Sequence, residues 1–273
     1  MLTRLKTAIP LIILVVLAFT LPGIYGVIAF YLLSGGMLTF GISEAFSMTS
    51  FKDDCSADKW VTILFSYALA LLPATKLSPL LCEPLLLICY LLALCFLLLH
   101  RSPEQTPRFL TTLGIFLYIS WTLSFFAKTY FLSNGPLLLL YAIAVTKMCD
   151  VGAYIIGVGT AKRAKGNHKL ALKFSPKKSW EGLAGGILFG AVTAILLAKT
   201  RLGCCFSWWE ALVFGIVAAV IGLVGDLVES AMKRVAGLKD SGNLPGIGGV
   251  LDILDSLIPI APLFYLLLLW KMS

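Results

Sequence analysis

Apolar residues run through this 273-residue chain in nearly continuous blocks, each about as long as the roughly 20 residues a helix needs to cross a bilayer. Eight or nine such blocks follow one another with short connections. Inside lipid the backbone must satisfy its own hydrogen bonds, which leaves helices or a closed barrel. The blocks lack the alternation of barrel strands. The composition agrees: 59% of the residues are hydrophobic and 13% charged, against about 25% charged in a soluble domain. A cytosolic globular enzyme, a disordered regulator and a small disulfide scaffold are all excluded. The expected fold is an all-α, polytopic integral membrane protein of about nine transmembrane helices, within a range of eight to ten.

The spans are expected near 7–21, 24–43, 60–77, 80–99, 109–127, 137–158, 183–199, 208–228 and 250–270. Arg4 and Lys6 precede the first. No clear small-x-small cleavage site follows, so this segment reads as a transmembrane helix rather than a signal peptide. Pro22–Gly23 is the only break between the first two spans. Sixteen of the 22 Lys and Arg fall at the N-terminus or in the loops after spans two, four, six and eight, and five fall on the opposite side. Basic loops stay cytoplasmic, so the N-terminus is expected in the cytoplasm and, with nine spans, the C-terminus outside. Residues 1–135 read as N-terminal spans of little specificity. Residues 136–273 carry two basic cytoplasmic loops, 159–182 and 229–249.

The net charge of +8 would raise nucleic acid as a partner for a soluble chain. Here topology and a phosphate-bearing substrate account for it, and no nucleic acid is expected. The seven cysteines form no C-x-x-C pair and mostly sit in apolar runs, where cysteine acts as a small hydrophobe. With only His100 and His168, a histidine-rich metal site is excluded.

Charge enters the apolar runs at two places. Lys147 and Asp150 are three apart at the end of span six, hence on one helix face. Ionisable groups at that depth are costly and line a cavity or pair with each other. Next comes K-F-S-P-K-K-S-W-E-G, residues 173–182. Ser175 before Pro176 reads as an N-cap with proline at the first helical position. Lys177 and Lys178 would then fall in the first turn, where the helix dipole is already positive. An anion bound there would resolve the conflict. Contact with anionic lipid heads is the plainer alternative. Glu181 would pair with a lysine or serve the first turn.

The second place is 225–256. Asp226, Glu229 and Lys233 have helical spacing, as do Asp226 and Ser230. Asp252 and Asp255 are three apart at the start of the last span, with a glycine-rich turn, Gly242 to Gly249, before them. Carboxylates on one face repel. A divalent cation relieves this, and Mg²⁺ favours one or two carboxylates together with substrate phosphate oxygens. Lys233, Arg234, Lys239 and the amides of the glycine turn are placed to hold phosphates. The chemistry indicated is metal-assisted phosphoryl or nucleotidyl transfer at the cytoplasmic interface. No G-x-x-x-x-G-K-[ST] loop is present, which argues against an ordinary nucleotide-hydrolysing motor.

These two blocks resemble the phosphatidate cytidylyltransferase (CDP-diacylglycerol synthase) family, whose pattern runs S-x-x-K-R, K-D, P-G-H-G-G and D-R-x-D. Ser230, Lys233, Arg234, Lys239, Asp240, Pro245, Gly246, Gly248, Gly249, Asp252 and Asp255 match it. Upstream, Asp150-Val-Gly-Ala-Tyr154 and Ser175-Pro-Lys-Lys-Ser-Trp-Glu-Gly182 also look like the family. The likeness is best over 147–260. Ile247 stands where the family has histidine, Ile253 stands where it has arginine, and the turn between Gly242 and Pro245 is one residue short.

The resemblance implies transfer of a cytidylyl group from CTP to phosphatidate, giving CDP-diacylglycerol and pyrophosphate. It assigns Asp226, Asp252 and Asp255 to Mg²⁺. Lys233, Arg234, Lys239 and Asp240 become catalytic residues. Asp150, Ser175, Lys177, Lys178, Glu181, Ser230, Gly248 and Gly249 become substrate-binding residues. It also implies contact with membrane lipid and a multi-pass place in a bacterial inner (cytoplasmic) membrane; a homodimer is compatible with the sequence. Two alternatives stand beside it: a transporter or flippase for a phosphorylated solute or lipid, and a CTP-dependent enzyme acting on a polyprenyl lipid. The paired repeats of a transporter are not evident.

Overall fold

Helices make up nearly all the regular structure of the computed structural model, as the apolar blocks require. It describes residues 13, 15–49, 56–75, 77–100, 106–162, 167–171, 175–203, 205–238, 240–242 and 248–272. Among these, seven helices are long and apolar enough to cross a membrane. Residues 7–12 and 14 of the expected first span, 7–21, lie outside the described residues; its end, 15–20, is helical and stops at Leu21–Pro22. The other eight expected spans all fall on helices. The chain is a multi-pass, all-α membrane protein.

The contacts divide the chain into two compact units, 1–132 with 238–252, and 133–237 with 253–273. The first contains α1 (Gly23–Ser47), α2 (Ser56–Leu71), α3 (Pro79–Leu99) and α4 (Thr106–Tyr130). A 3-10 turn, Leu72–Ala74, extends α2, and α4 widens into one π-helical segment at Phe116–Trp121. Its core is aromatic: Tyr90 stacks on Phe116 at 3.9 Å and Phe30 on Tyr130 at 4.1 Å. Polar groups inside it are paired, as lipid burial demands. Thr62 and the Tyr90 hydroxyl lie 3.0 Å apart, and Ser66 donates to Ser120 at 2.6 Å. Arg108, expected in a cytoplasmic loop, is instead in α4, buried in an ion pair with Asp58 of α2.

The second unit contains α5 (Gly135–Ala161), β1 (Lys169–Ala171), β2 (Ser175–Ser179), α6 (Trp180–Ala198), α7 (Trp208–Val235) and α9 (Leu257–Met272); the short α8 (Val250–Leu254) precedes α9. Small residues bring these helices into backbone contact. A Cβ on Gly152 would lie 2.6 Å from the Gly185 carbonyl oxygen, and one on Gly185 2.7 Å from that of Gly152. Gly190 and Gly215 stand in the same relation between α6 and α7, at 2.9 and 2.7 Å. Neither pair leaves room for a side chain. Gly185→Val should therefore force α5 from α6 and destabilise the fold by about 1–3 kcal/mol or more. Thermal unfolding in detergent will read this as a lowered midpoint.

An aromatic cluster of Tyr141, Phe206, Phe214 and Phe264 fills one end of this unit. There Glu210 forms a capping box with Ser207 and pairs with Lys271 of α9 at 2.5 Å. At the other end, α7 continues past its expected limit of 228 to Val235, so Asp226, Glu229, Ser230, Lys233 and Arg234 all project from one helix.

The segment at 175–179 departs from the sequence reading. It is a strand, paired antiparallel with β1, with Lys169 opposite Ser179. The N-cap of α6 is Ser179, whose Oγ accepts from the Gly182 N–H at 3.1 Å. Proline is tolerated in an edge strand. Delaying the helix also removes the conflict of two lysines with the positive end of its dipole, and leaves Glu181 as the first-turn charge.

Candidate active site

Three carboxylates meet at the end of α7. Asp226 and Glu229 are one turn apart on that helix. Asp255 comes from the turn between α8 and α9, which the sequence anticipated as continuous helix. Gly225 permits the approach: a Cβ there would overlap the Asp255 carbonyl oxygen and lie 2.8 Å from Pro259. One oxygen from each of Asp226, Glu229 and Asp255 lies within 4.8 Å of the others. Glu229 is wholly buried, and the two aspartates are half-buried.

Lysines face this acidic group. Lys178 of β2 pairs with Asp226 at 2.5 Å, and Lys233 pairs with Glu229 at 2.5 Å, one turn along α7. Alternation along β2 turns Lys178 inward and leaves Lys177 exposed. Ser230 donates to Asp226 at 3.4 Å. The backbone N–H of Ser256 donates to Asp255 at 2.5 Å. The Ser256 hydroxyl is fully buried, donates to Asp150 at 2.9 Å and accepts from Lys147 at 2.9 Å. Lys147 and Asp150 form the ion pair that their spacing suggested, at 3.2 Å.

The remaining expected residues have partners or exposures of their own. The Asp252 carboxylate is bonded within the first unit. It accepts from the Ser241 N–H at 3.0 Å, the Ser241 hydroxyl at 2.8 Å and the Gly249 N–H at 2.7 Å. Glu44 of α1 joins it, accepting from the N–H groups of Val250 and Leu251 at 2.9 and 2.8 Å. The Gly249 amide is thus engaged with Asp252. Gly248 has φ +97°, which only glycine adopts without strain. Asp240 and Arg234 are exposed, and Ser175 is half-buried in β2. Glu181 accepts from the His168 backbone N–H at 3.1 Å and pairs with its ring at 2.6 Å, tying the hairpin to α6. Lys239, Pro245, Gly246 and Ile247 lie outside the described residues.

Sequence patterning alone does not select Glu44, Ser241 or Ser256, and it marks Glu229 by spacing but not as a ligand. Helical spacing on α7 gave the signal for Glu229. An acid beside an apolar run was the only signal for Glu44.

The donor set suits a hard divalent cation. Oxygens around Mg²⁺ at 2.0–2.1 Å stand about 2.9–4.2 Å apart, and around Ca²⁺ up to about 5 Å. The three carboxylate oxygens need only small side-chain adjustments to meet that range.

Acids backed by lysines, at one end of membrane-crossing helices, are the equipment of a membrane enzyme that handles phosphate groups. The model of the cytidylyltransferase family matches residues 2–270, and the chain belongs to that family. It is 36% identical to the phosphatidate cytidylyltransferase of Staphylococcus haemolyticus over 183 residues, which are 66% of this chain and 68% of that protein. The phosphatidate cytidylyltransferases of Haemophilus influenzae and Brucella suis are each 40% identical to it, over 135 and 129 residues. Those matches cover 48% and 47% of this chain, and 45% of each relative. The chain is accordingly a membrane-embedded transferase.

Proposed function

We infer that this chain transfers the cytidylyl group of CTP to phosphatidate, yielding CDP-diacylglycerol and pyrophosphate in phospholipid synthesis. The observation that carries this reading is the convergence of Asp226, Glu229 and Asp255 with Lys178 and Lys233 on membrane helices. Family membership and the names of the relatives support the choice of substrates.

In the reaction an oxygen of the phosphatidate phosphate bonds to the α-phosphorus of CTP. The bond from that phosphorus to the bridging oxygen breaks, and pyrophosphate leaves with the electron pair. The nucleophile is already an anion, so no strong base is required. The difficulty is bringing several negative charges together. Asp226, Glu229 and Asp255 would hold a divalent cation, expected to be Mg²⁺, which when bound neutralises phosphate charge as a Lewis acid. Lys178 and Lys233 are largely buried, their side chains 15% and 13% exposed. Their ammonium groups are therefore held in place before substrate arrives and can donate charge-assisted hydrogen bonds to phosphate oxygens. Lys177, Arg234, Lys239 and Asp240 are the further candidates for contact with the triphosphate or the lipid phosphate. The acyl chains remain in the bilayer around the helices. The bacterial relatives and the basic loops favour an inner membrane with this end facing the cytoplasm, where CTP is dissolved.

The test uses purified protein in detergent with phosphatidate, Mg²⁺ and CTP labelled at the α-phosphorus. Label should enter the chloroform phase with one pyrophosphate released per lipid labelled. Label confined to the aqueous phase would contradict the reading. In the same assay Lys178→Ala should lower turnover by about 10–100-fold, the equivalent of one charge-assisted hydrogen bond. Lys169→Ala, on the exposed edge of β1, should change it little.

A further inference from the structure

Lys147 sits in the body of α5, a helix that crosses the membrane. An ammonium group there persists only where its charge is met. Asp150 meets part of it, at 3.2 Å. The same Nζ also donates to the Ile253 carbonyl oxygen at 2.8 Å and to the Ser256 hydroxyl at 2.9 Å. Two of its three acceptors thus belong to 253–256, the segment that carries Asp255. Ser256 faces both ways: its hydroxyl bonds to Lys147 and Asp150, and its backbone N–H bonds to the Asp255 carboxylate.

At this segment the D-R-x-D pattern puts an arginine where the chain has Ile253. Isoleucine supplies no charge and no side-chain donor. The cation that reaches residue 253 here comes from another helix and ends on its carbonyl oxygen. We propose that Lys147 supplies, from α5, the cation that the family pattern places at residue 253, and so fixes the turn bearing Asp255. Lys147 is a positioning residue: it acts through Asp255 and Ser256. Its catalytic consequence rests on the cytidylyltransfer reading; its effect on the turn does not.

Lys147→Met keeps the length and apolar body of the side chain and removes the ammonium. Three proteins are compared: wild type, Lys147→Met, and Lys147→Met with Ile253→Arg. Hydrogen exchange followed by mass spectrometry reads the backbone of 253–258, and the labelled-CTP assay reads turnover. In Lys147→Met, exchange at 253–258 should quicken by about tenfold or more while α6 is unaffected. Turnover should fall by about tenfold or more in kcat with little change in KM for CTP. Adding Ile253→Arg should restore both. Should the methionine variant fail to fold, Lys147→Gln carries the same expectations, because it keeps a donor but no charge. Unchanged exchange in the single variant, or no recovery in the double, would overturn the proposal. A wild-type protein that labels no lipid would contradict the cytidylyltransfer reading alone, since the exchange measurement still decides whether Lys147 holds the turn.

Discussion

Asp226→Asn is expected to reduce lipid labelling by about 1,000-fold while the protein still inserts and elutes as a folded species. The substitution keeps the shape of the side chain and removes one negative charge. Asp226 is the residue on which the site's partners converge: Lys178 at 2.5 Å, Ser230 at 3.4 Å, and the oxygens of Glu229 and Asp255 within 4.8 Å. Metal-assisted stabilisation of a phosphoryl group is worth several kcal/mol, and about 4 kcal/mol corresponds to roughly 1,000-fold in rate. An amide is a neutral, weaker ligand for a hard cation, so most of that stabilisation should vanish. Packing around Gly225 and Pro259 does not depend on the charge. Labelled-CTP turnover together with size-exclusion elution checks both halves of the expectation.

The second large effect concerns the first unit taken by itself. Arg108→Leu should destabilise the first unit by about 3–5 kcal/mol, because it takes the guanidinium away from a carboxylate that is itself buried. Asp58 and Arg108 are each only 2% exposed, so water cannot take the place of the missing partner. In thermal unfolding this should appear as a midpoint lowered by roughly 10 °C. Replacing both residues, Asp58→Asn with Arg108→Gln, should recover most of the loss, since a neutral pair carries no stranded charge. A double variant no more stable than the single one would show that Arg108 acts chiefly through packing.

Seven of the eight spans expected after the first coincide with helices long and apolar enough to cross a membrane, while the helix at 60–77, Ser56–Leu71, is shorter. The seven were legible because lipid imposes a single rule on length and polarity, and no tertiary contact is needed to apply it. The site was legible where one helix carries it. Asp226, Glu229, Ser230 and Lys233 keep helical register because α7 runs unbroken to Val235. Lys147 and Asp150 are paired for the same reason.

Periodicity failed where the backbone changed type. Asp252 and Asp255 have the spacing of one helix face, but α8 ends at Leu254 and α9 begins at Leu257. Asp252 is consequently bonded to Ser241 and Gly249, and Asp255 joins Asp226 and Glu229. Ser175–Pro176 carries the marks of a helix start, yet the chain forms a hairpin and begins the helix at Trp180, where Ser179 can cap it. Glu44 meets residues about 200 positions away, a contact with no local pattern to announce it.

Binding of Mn²⁺ to the purified protein, followed by electron paramagnetic resonance without any substrate, tests the shared-cation site most directly. Binding should be saturable, and Asp226→Asn and Asp255→Asn should each weaken it by at least about tenfold. Binding in both variants as tight as in the wild type would contradict a shared site.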